Sequence, residues 1–390
     1  MTKPKPCVET SAIAHKAVIA REARRVTSYD VALVAGVSQS AVSRCFQQNA
    51  SVSEATLARV MKAASLLDYI PNAAARSLIT RRSNMVAVII ASDANLHYPQ
   101  LLGELSQQIG ARGKRVLLFT LPREAAADMD RVLSEVWQYQ VDGVIAAARL
   151  TAGHVAEFDR RHVPVVLFNR TLREATVNTV TCDHREAGRL LVSRLAAAGH
   201  RRFGILAGAD DDAVATVAGE RRRGACERLA ELGLPAPVVV SGQSDYASGA
   251  AGLRAVVAAM AARGDAPDVI LCGSDTMAIG CLDCARHELG IDVPRQLSVA
   301  GFDAVEPANW LSYNLTTLRQ PMAKMATAAA DLLCAVIDGH AAPGAGAERR
   351  VFSAQFIEGA TARLAPTLAP APDLLPVPAP VRWHAPVAIM

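Results

Sequence analysis

Residues 26–49, VTSYDVALVAGVSQSAVSRCFQQN, decide how the rest of the chain is read. They predict two short helices joined by a tight turn. Thr27 and Asp30 stand three apart, the spacing of a capping box, with a hydroxyl at the helix N-terminus and an acid in its first turn. Val31, Val34 and Ala35 give that helix an apolar side, and Gly36 takes the left-handed conformation that stops it. Ser38 then caps a second helix, Gln39 to about Phe46. Its exposed face offers Gln39, Ser40, Ser43 and Arg44, and Tyr29 in the first helix joins them. Short polar side chains with one arginine suit base edges and phosphates. A helix-glycine-helix pattern is also that of an ordinary helical hairpin, so the next residues carry the decision.

SVSEATLARVMKAASLLDYIPNAAARSLITRRS, residues 51–83, supplies a third helix capped by Ser53. Leu57, Val60, Met61, Ala64 and Leu67 recur at helical spacing and are expected to cover the first two helices. Pro71 and Asn72 stop this helix and start a short segment, Ala73 to Ile79, containing Arg76 and Leu78. Residues 1–82 carry 12 Lys/Arg against 5 Asp/Glu, and the remainder 29 against 32. A basic head on a slightly acidic body is the footprint of a phosphate-binding module joined to something else.

The segments DVALVAGVSQSAVSR and VSEATLARVMKAASLLDYIPNAAARSL resemble the lactose-repressor/galactose-repressor family of bacterial transcription regulators, and the likeness runs from about Thr27 to Thr361. The resemblance implies that Ala73–Ile79 is a hinge helix and that Leu78 is a wedge pushed into the minor groove at the operator centre, where an apolar side chain kinks DNA by unstacking a base step. Gln47 stands where the family often has Asn.

From residue 85 short apolar runs alternate with helical stretches: MVAVIIA, RVLLFT, GVIAAA, VPVVLF, FGILAG, PVVVSG, DVILCG and LSVAGFD. Unbroken runs predict strands buried on both faces, hence doubly wound parallel sheets in two lobes. The resemblance implies a bilobed, periplasmic-binding-protein-like α/β effector domain behind an all-α head and hinge helix. The expected boundaries are 1–26 as a flexible extension, 27–72 as the head, 73–82 as the hinge, 83–362 as the body and 363–390 as a Pro/Ala-rich tail. Lobe 1 is placed at about 83–182 and 321–350, lobe 2 at about 183–320 and 351–362. The chain crosses between them near Cys182, Gln320 and Arg350, which assigns VFSAQFIEG to the second lobe.

A ligand is expected between the lobes, at the carboxyl ends of the strands. The polar and aromatic residues that follow the apolar runs are His97, Tyr98, Asn169, Arg170, Tyr246, Ser274, Asp275 and Asp303, with Arg221 leading from the loop after FGILAG. Together they suit a small sugar or sugar acid. The resemblance implies ligand contacts by Arg221, three residues before Gly224, and by Asp303 after GF; Tyr246, Asn169, His97 and Tyr98 also match positions of that kind. Asp275 reads as a cap for its following helix, and Ser274 stands where many relatives carry Asn.

Eight scattered cysteines form no framework. Cys281 and Cys284 with His287 share a helical face, but with no second ligand pair they read as packing residues rather than a metal site. No cofactor is expected. The first 26 residues lack the apolar stretch of a signal peptide and no apolar run is long enough to span a membrane, so a cytoplasmic setting is expected. Some relatives form tetramers through a C-terminal leucine-heptad helix. The tail here has no heptad, so a homodimer on double-stranded operator DNA is expected. A solute-binding transport component would share the bilobed core without a basic head. An α/β enzyme would need a nucleophile elbow, a P-loop or a dinucleotide fingerprint, none of which is found.

Overall fold

Three helices form the head: α1 (Ser28–Ala35), α2 (Gln39–Cys45) and α3 (Glu54–Leu66). The computed structural model describes residues 15–16, 24–46, 52–71, 82–91, 96–121, 129–172, 176–208, 216–340 and 346–365. Gly36 ends α1 with φ 65°. The Ser38 and Ser53 hydroxyls accept from the amides of Ala41 and Thr56 at 3.3 and 3.4 Å, each satisfying a helix N–H that has no partner inside its helix. Thr27 and Asp30 form the expected capping box, and the Thr27 hydroxyl is tied into it. It donates to Asp30 Oδ2 at 2.7 Å, beside the Thr27 amide at 2.7 Å.

Val31, Val42, Val60, Ala63 and Leu67 are sealed at the centre of the head. Leu57 and Met61, expected in that core, are 40% and 47% exposed. The stripe that packs is Val60, Ala63, Ala64 and Leu67, and Leu57 and Met61 lie on the neighbouring stripe, one helical turn apart.

The segment ahead of the head, expected to be flexible, has its described residues tied down. His15 Nε2 lies 2.7 Å from Asp30 Oδ1. The Arg24 guanidinium forks onto both Asp30 oxygens at 2.8 and 2.9 Å. Lys16 reaches the Asp68 carboxylate and, at 3.4 Å, the Leu66 carbonyl at the end of α3, where a cation suits the helix dipole. Arg24 holds the Asp30 carboxyl far below the usual carboxylate range, against the opposing effect of burial.

The body has two parallel sheets. In the first, β1 (Met85–Ala91), β2 (Arg115–Leu121), β3 (Gly143–Ala146), β4 (Val165–Phe168), β5 (Asn178–Cys182) and β11 (Arg349–Phe352) lie in the order β11-β5-β4-β3-β1-β2. Helices α4 (His97–Ala111), α5 (Met129–Gln138), α6 (Ala152–Arg160) and α11 (Met322–Ile337) accompany it. One face packs on α4 and α11 through Val86, Val88, Leu101, Leu105, Met325 and Leu333; the other carries Ile89, Leu133, Phe158 and Leu167.

The second sheet orders β6 (Phe203–Ala207), β7 (Val238–Ser241), β8 (Val269–Cys272) and β9 (Ser298–Ala300) as β7-β6-β8-β9. It lies among α7 (His184–Ala197), α8 (Val217–Glu231), α9 (Tyr246–Ala261) and α10 (Asp275–Asp283). Burial on both faces is why these strands read as unbroken apolar runs.

Two helix pairs in this lobe meet backbone to backbone. A Cβ on Gly224 of α8 would lie 1.9 Å from the Arg185 carbonyl oxygen of α7, and one on Gly188 would lie 2.2 Å from that of Arg221. Gly249 and Gly280 close α9 on α10 in the same reciprocal way, each 2.0 Å from a carbonyl oxygen.

The third crossing departs from expectation. VFSAQFIEG is two strands. Arg349–Phe352 pairs parallel with β5 in the first sheet, and β12 (Gln355–Ile357) pairs antiparallel with β10 (Thr317–Arg319). The chain therefore changes lobes between Phe352 and Gln355, later than Arg350. β5 was not foreseen as a strand, because NTVTC mixes threonine with valine and has no apolar run. Among the described residues no helix is long and apolar enough to cross a membrane.

Candidate functional site

Two places gather the residues singled out in the sequence. On the head, Ser40 and Arg44 are exposed, Gln39 and Ser43 are half-buried, and Tyr29 is 72% exposed on α1. Gln39 Nε2 donates to Ser28 Oγ at 3.2 Å, which joins the start of α1 to the start of α2. Val42 of α2 is buried and Cys45 packs against the head core, which leaves Ser40 and Arg44 exposed to a partner. Gln47, Asn72, Arg76 and Leu78 lie outside the described residues.

In the body, five side chains close a ring of hydrogen bonds between the lobes. Arg221 Nε donates to His184 Nδ1 at 3.3 Å. That leaves the His184 proton on Nε2, which faces Asn169 Oδ1 at 3.3 Å. Asn169 Nδ2 donates to Gln320 Oε1 at 2.7 Å, and Gln320 Nε2 to Asp303 Oδ1 at 2.8 Å. Arg221 Nη2 completes the circuit to Asp303 Oδ1 at 2.9 Å. Two donor-to-acceptor paths lead from Arg221 to Asp303, one direct and one through His184, Asn169 and Gln320, so each amide and tautomer is fixed by its neighbours.

The ring draws on both lobes and on two of the three crossings. Asn169 follows β4 in the first lobe, Arg221 on α8 and Asp303 after β9 belong to the second lobe, and His184 and Gln320 stand where the chain passes between them. Asn169 and Asp303 have φ of 50° and 117°, backbone that costs about 1–3 kcal/mol per residue and persists only where surroundings enforce it. Arg221 Nη1 also donates to the Gly273 carbonyl at 2.7 Å, and its guanidinium lies 3.4 Å from the Phe302 ring centroid. Among the described residues no hydrogen bond engages Asp303 Oδ2.

His97 is buried, with its ring 6.4 Å from that of Tyr98, and the charges of Asp303, Arg221 and Arg170 act on it. Tyr98 packs with Leu101 and Leu105 in the first-lobe core. Tyr246 is not brought to the ring. Its hydroxyl donates to Asp283 at 3.0 Å, beside Tyr313, because α9 runs alongside α10 and carries the ring away from the strand ends.

Ser274 takes the capping role expected of Asp275. The Ser274 hydroxyl accepts from the Met277 amide at 3.3 Å and caps α10. Asp275, fully buried, accepts from the Thr317 hydroxyl at 2.6 Å and the Val305 amide at 2.9 Å, holding the turn that presents Asp303. Burial, reinforced by the Asp303 charge, pushes its carboxyl up to about 7. His184, Gln320 and Phe302 escaped the sequence reading. Their signal was position: His184 and Gln320 are polar residues at two predicted crossings.

Behind Arg221, residues including Leu191, Ile205, Ala225, Leu271 and Phe302 line an apolar cavity of about 30 Å³. It has room for a water and not for a sugar. Cys281 and Cys284 are buried while His287 is exposed, so the three do not converge; among the described residues no group of three or more His, Cys, Asp or Glu could hold a metal.

Burial drives His97 and His184 below the ordinary histidine value of 6.5. Between that value and the lower folded values the unfolded chain binds more protons, so acidification through this window removes stability. Asp275 acts oppositely, since its raised folded value favours the fold as pH falls from about 7 toward 3.8. His184→Asn is therefore expected to narrow the difference in melting temperature between pH 7 and pH 5, and Asp275→Asn to widen it. Thermal unfolding at the two pH values measures both.

The family described as bacterial regulatory proteins, lacI family, matches residues 27–72, and the periplasmic binding protein-like domain matches residues 192–361. The regulator GalS of Salmonella typhimurium is 30% identical over 312 residues, covering 79% of this chain and 88% of its own length. The chain belongs to the lacI family. Catabolite control protein A of Priestia megaterium is 29% identical over 311 residues, covering 79% of this chain and 91% of that protein. Among solved structures, a lac repressor dimer bound to operator and the anti-inducer ONPF has a TM-score of 0.76 at 25% identity, over 88% of this chain and all of that one. The CelR–cellobiose complex has a TM-score of 0.64 at 27% identity, over 86% of this chain and all of that one. As a lacI-family protein the chain is a DNA-binding transcriptional regulator. Its helix-turn-helix is the head described above, and its ring lies in the periplasmic-binding-protein-like body.

Proposed function

We propose that the chain is a homodimeric repressor of a catabolic operon, binding a pseudo-palindromic operator in the cytoplasm and released or recruited by a sugar or sugar derivative seated between the lobes. No catalytic role is proposed. The observation that carries this reading is the ring itself. It places hydrogen-bonding groups of both lobes, and the residues at two crossings, around one point. A small polyol bound there touches the lobes and their connections at once, so its binding energy depends on the angle between them. A ligand with different affinity for two such states shifts their populations, typically by about 1–3 kcal/mol of coupling. The relatives support the ligand class: they include a ribose operon repressor of Escherichia coli, a sucrose operon repressor of Lactococcus lactis and the cellobiose complex. A dimer is supported by the lac repressor structure.

On the DNA side, Gln39, Ser40 and Arg44 are assigned to the major groove, with Tyr29, Ser43, Asn72 and Arg76 as supporting contacts and Leu78 as the minor-groove wedge. Selection of binding sites from random duplexes should recover a two-half-site operator. Arg44→Ala should then weaken binding to it by about 1–3 kcal/mol where Arg44 reads a base. Where it meets only phosphate, the same change should reduce the salt dependence by about 0.9 in log–log slope. Unchanged affinity and slope would remove Arg44 from the interface. Release of that operator, or tighter binding to it, on adding members of a sugar panel tests the effector half, and a response surviving Asp303→Ala unaltered would place the effector elsewhere.

A further inference from the structure

We propose that the effector is a sugar acid, whose carboxylate is read by Arg170 at the edge of the ring. This rests on the interlobe reading above and narrows its ligand class. The state of Arg170 motivates it. Of the charged groups at the ring, Arg221 and Asp303 neutralise one another directly at 2.9 Å. His97 and His184 are buried and held in the neutral range. Asp183, at the same crossing, is engaged in capping α7, accepting from the Glu186 amide at 3.0 Å. Arg170 stands apart from these pairings. It follows Asn169 directly, is half-buried, and forms no ion pair among the described residues. Its one hydrogen bond there runs from Nη1 to the Asn169 carbonyl at 2.8 Å. That bond folds the guanidinium back over a ring member instead of out to solvent, and the Arg170 field reaches both His97 and His184.

A half-buried guanidinium without a counter-charge is costly, and an anion arriving in the cleft relieves that cost. With Nη1 tied to the Asn169 carbonyl, the Nε–Nη2 edge stays open, and its two parallel N–H groups match the two oxygens of one carboxylate. Asp303 Oδ2 remains to accept from hydroxyls of the same molecule. One guanidinium edge without an ion pair matches one carboxylate. A phosphate ester brings close to two negative charges at neutral pH and three strong acceptors, which this edge does not match.

Calorimetry on the full-length protein tests this with a panel of C5–C7 aldonates and uronates, each beside its neutral parent sugar and its phosphate ester. At least one acid is expected to bind ten or more times tighter than its neutral parent. Arg170→Gln should erase that preference, and Arg170→Lys should restore part of it, since charge returns without the fork. In the absence of ligand, the melting temperature of Arg170→Gln should equal or exceed the parent's, because no ion pair is lost; a fall of several degrees would mean that Arg170 is structural and would overturn the proposal. A neutral sugar or a phosphate ester binding tightest also overturns it while leaving the interlobe site standing. If instead a bound acid is indifferent to Arg221→Met and Asp303→Ala, the interlobe reading itself fails. A panel in which no acid binds sinks the sugar-acid assignment.

Discussion

Gly224→Val is expected to be the most damaging single change in the second lobe, costing about 3 kcal/mol or more. The new Cβ would sit 1.9 Å from the Arg185 carbonyl oxygen and 2.7 Å from its carbon. Overpacking a core commonly costs about 1–3 kcal/mol because side chains can rotate aside. Here the obstacle is backbone, so α8 must move away from α7 as a unit. Arg221 lies one turn earlier on α8, and its bonds to His184 and Asp303 would stretch with it. Chemical denaturation should show the loss of stability, and ligand titration the loss of affinity. Gly103→Ala is the contrast. It lies exposed within α4 with nothing within 4 Å of a new Cβ, so removing a helical glycine should gain about 0.5–1 kcal/mol. Similar outcomes for the two variants would refute the close-approach argument.

Arg221→Met should break the ring at its only internal ion pair. The side chains of Arg221 and Asp303 are 10% and 2% exposed. Removing one partner of a buried pair typically costs about 3–5 kcal/mol, because the other charge is stranded. Much of that penalty should disappear in the double variant Arg221→Met with Asp303→Asn, which carries no stranded carboxylate; a double-mutant cycle by denaturation measures the difference. Ligand affinity should fall by roughly ten- to a hundredfold or more in both, since a hydrogen bond to a charged group contributes about 1.5–3 kcal/mol. Parent-like affinity in either variant would detach the ring from ligand binding.

What the sequence disclosed follows from how locally each feature is determined. The serine caps at 38 and 53, the left-handed Gly36 and the apolar strands were legible because a few adjacent residues specify them. The Thr27–Asp30 capping box is equally local, and in it Asp30 accepts from the Thr27 hydroxyl as well as the amide. Inspecting residues just after apolar runs found Asn169, Arg170 and Asp303, since parallel strands deliver their carboxyl ends to one edge. It missed His184 and Gln320, which follow strands without apolar runs. It also placed Tyr246 wrongly, because a residue that starts a helix after a strand is near the edge by backbone, while its side chain follows the helix. The glycine contacts between helices were invisible, since they depend on pairings of distant segments.

The third crossing has a mechanical consequence. Only Ser353 and Ala354 separate β11 from β12, and Ala354 packs against the cores on both sides. β11 is laced to β5 on one side of this band and β12 to β10 on the other. A connection stitched on both sides in this way resists stretching and shear, and leaves rotation about the band as its soft degree of freedom. The expected motion of the body then has one coordinate, an angle. Substitutions that stiffen or loosen the band, such as Ala354→Pro or Ala354→Gly, would alter how far the angle swings per unit of binding energy. They would tune the gain of the response and leave the choice of ligand to the ring.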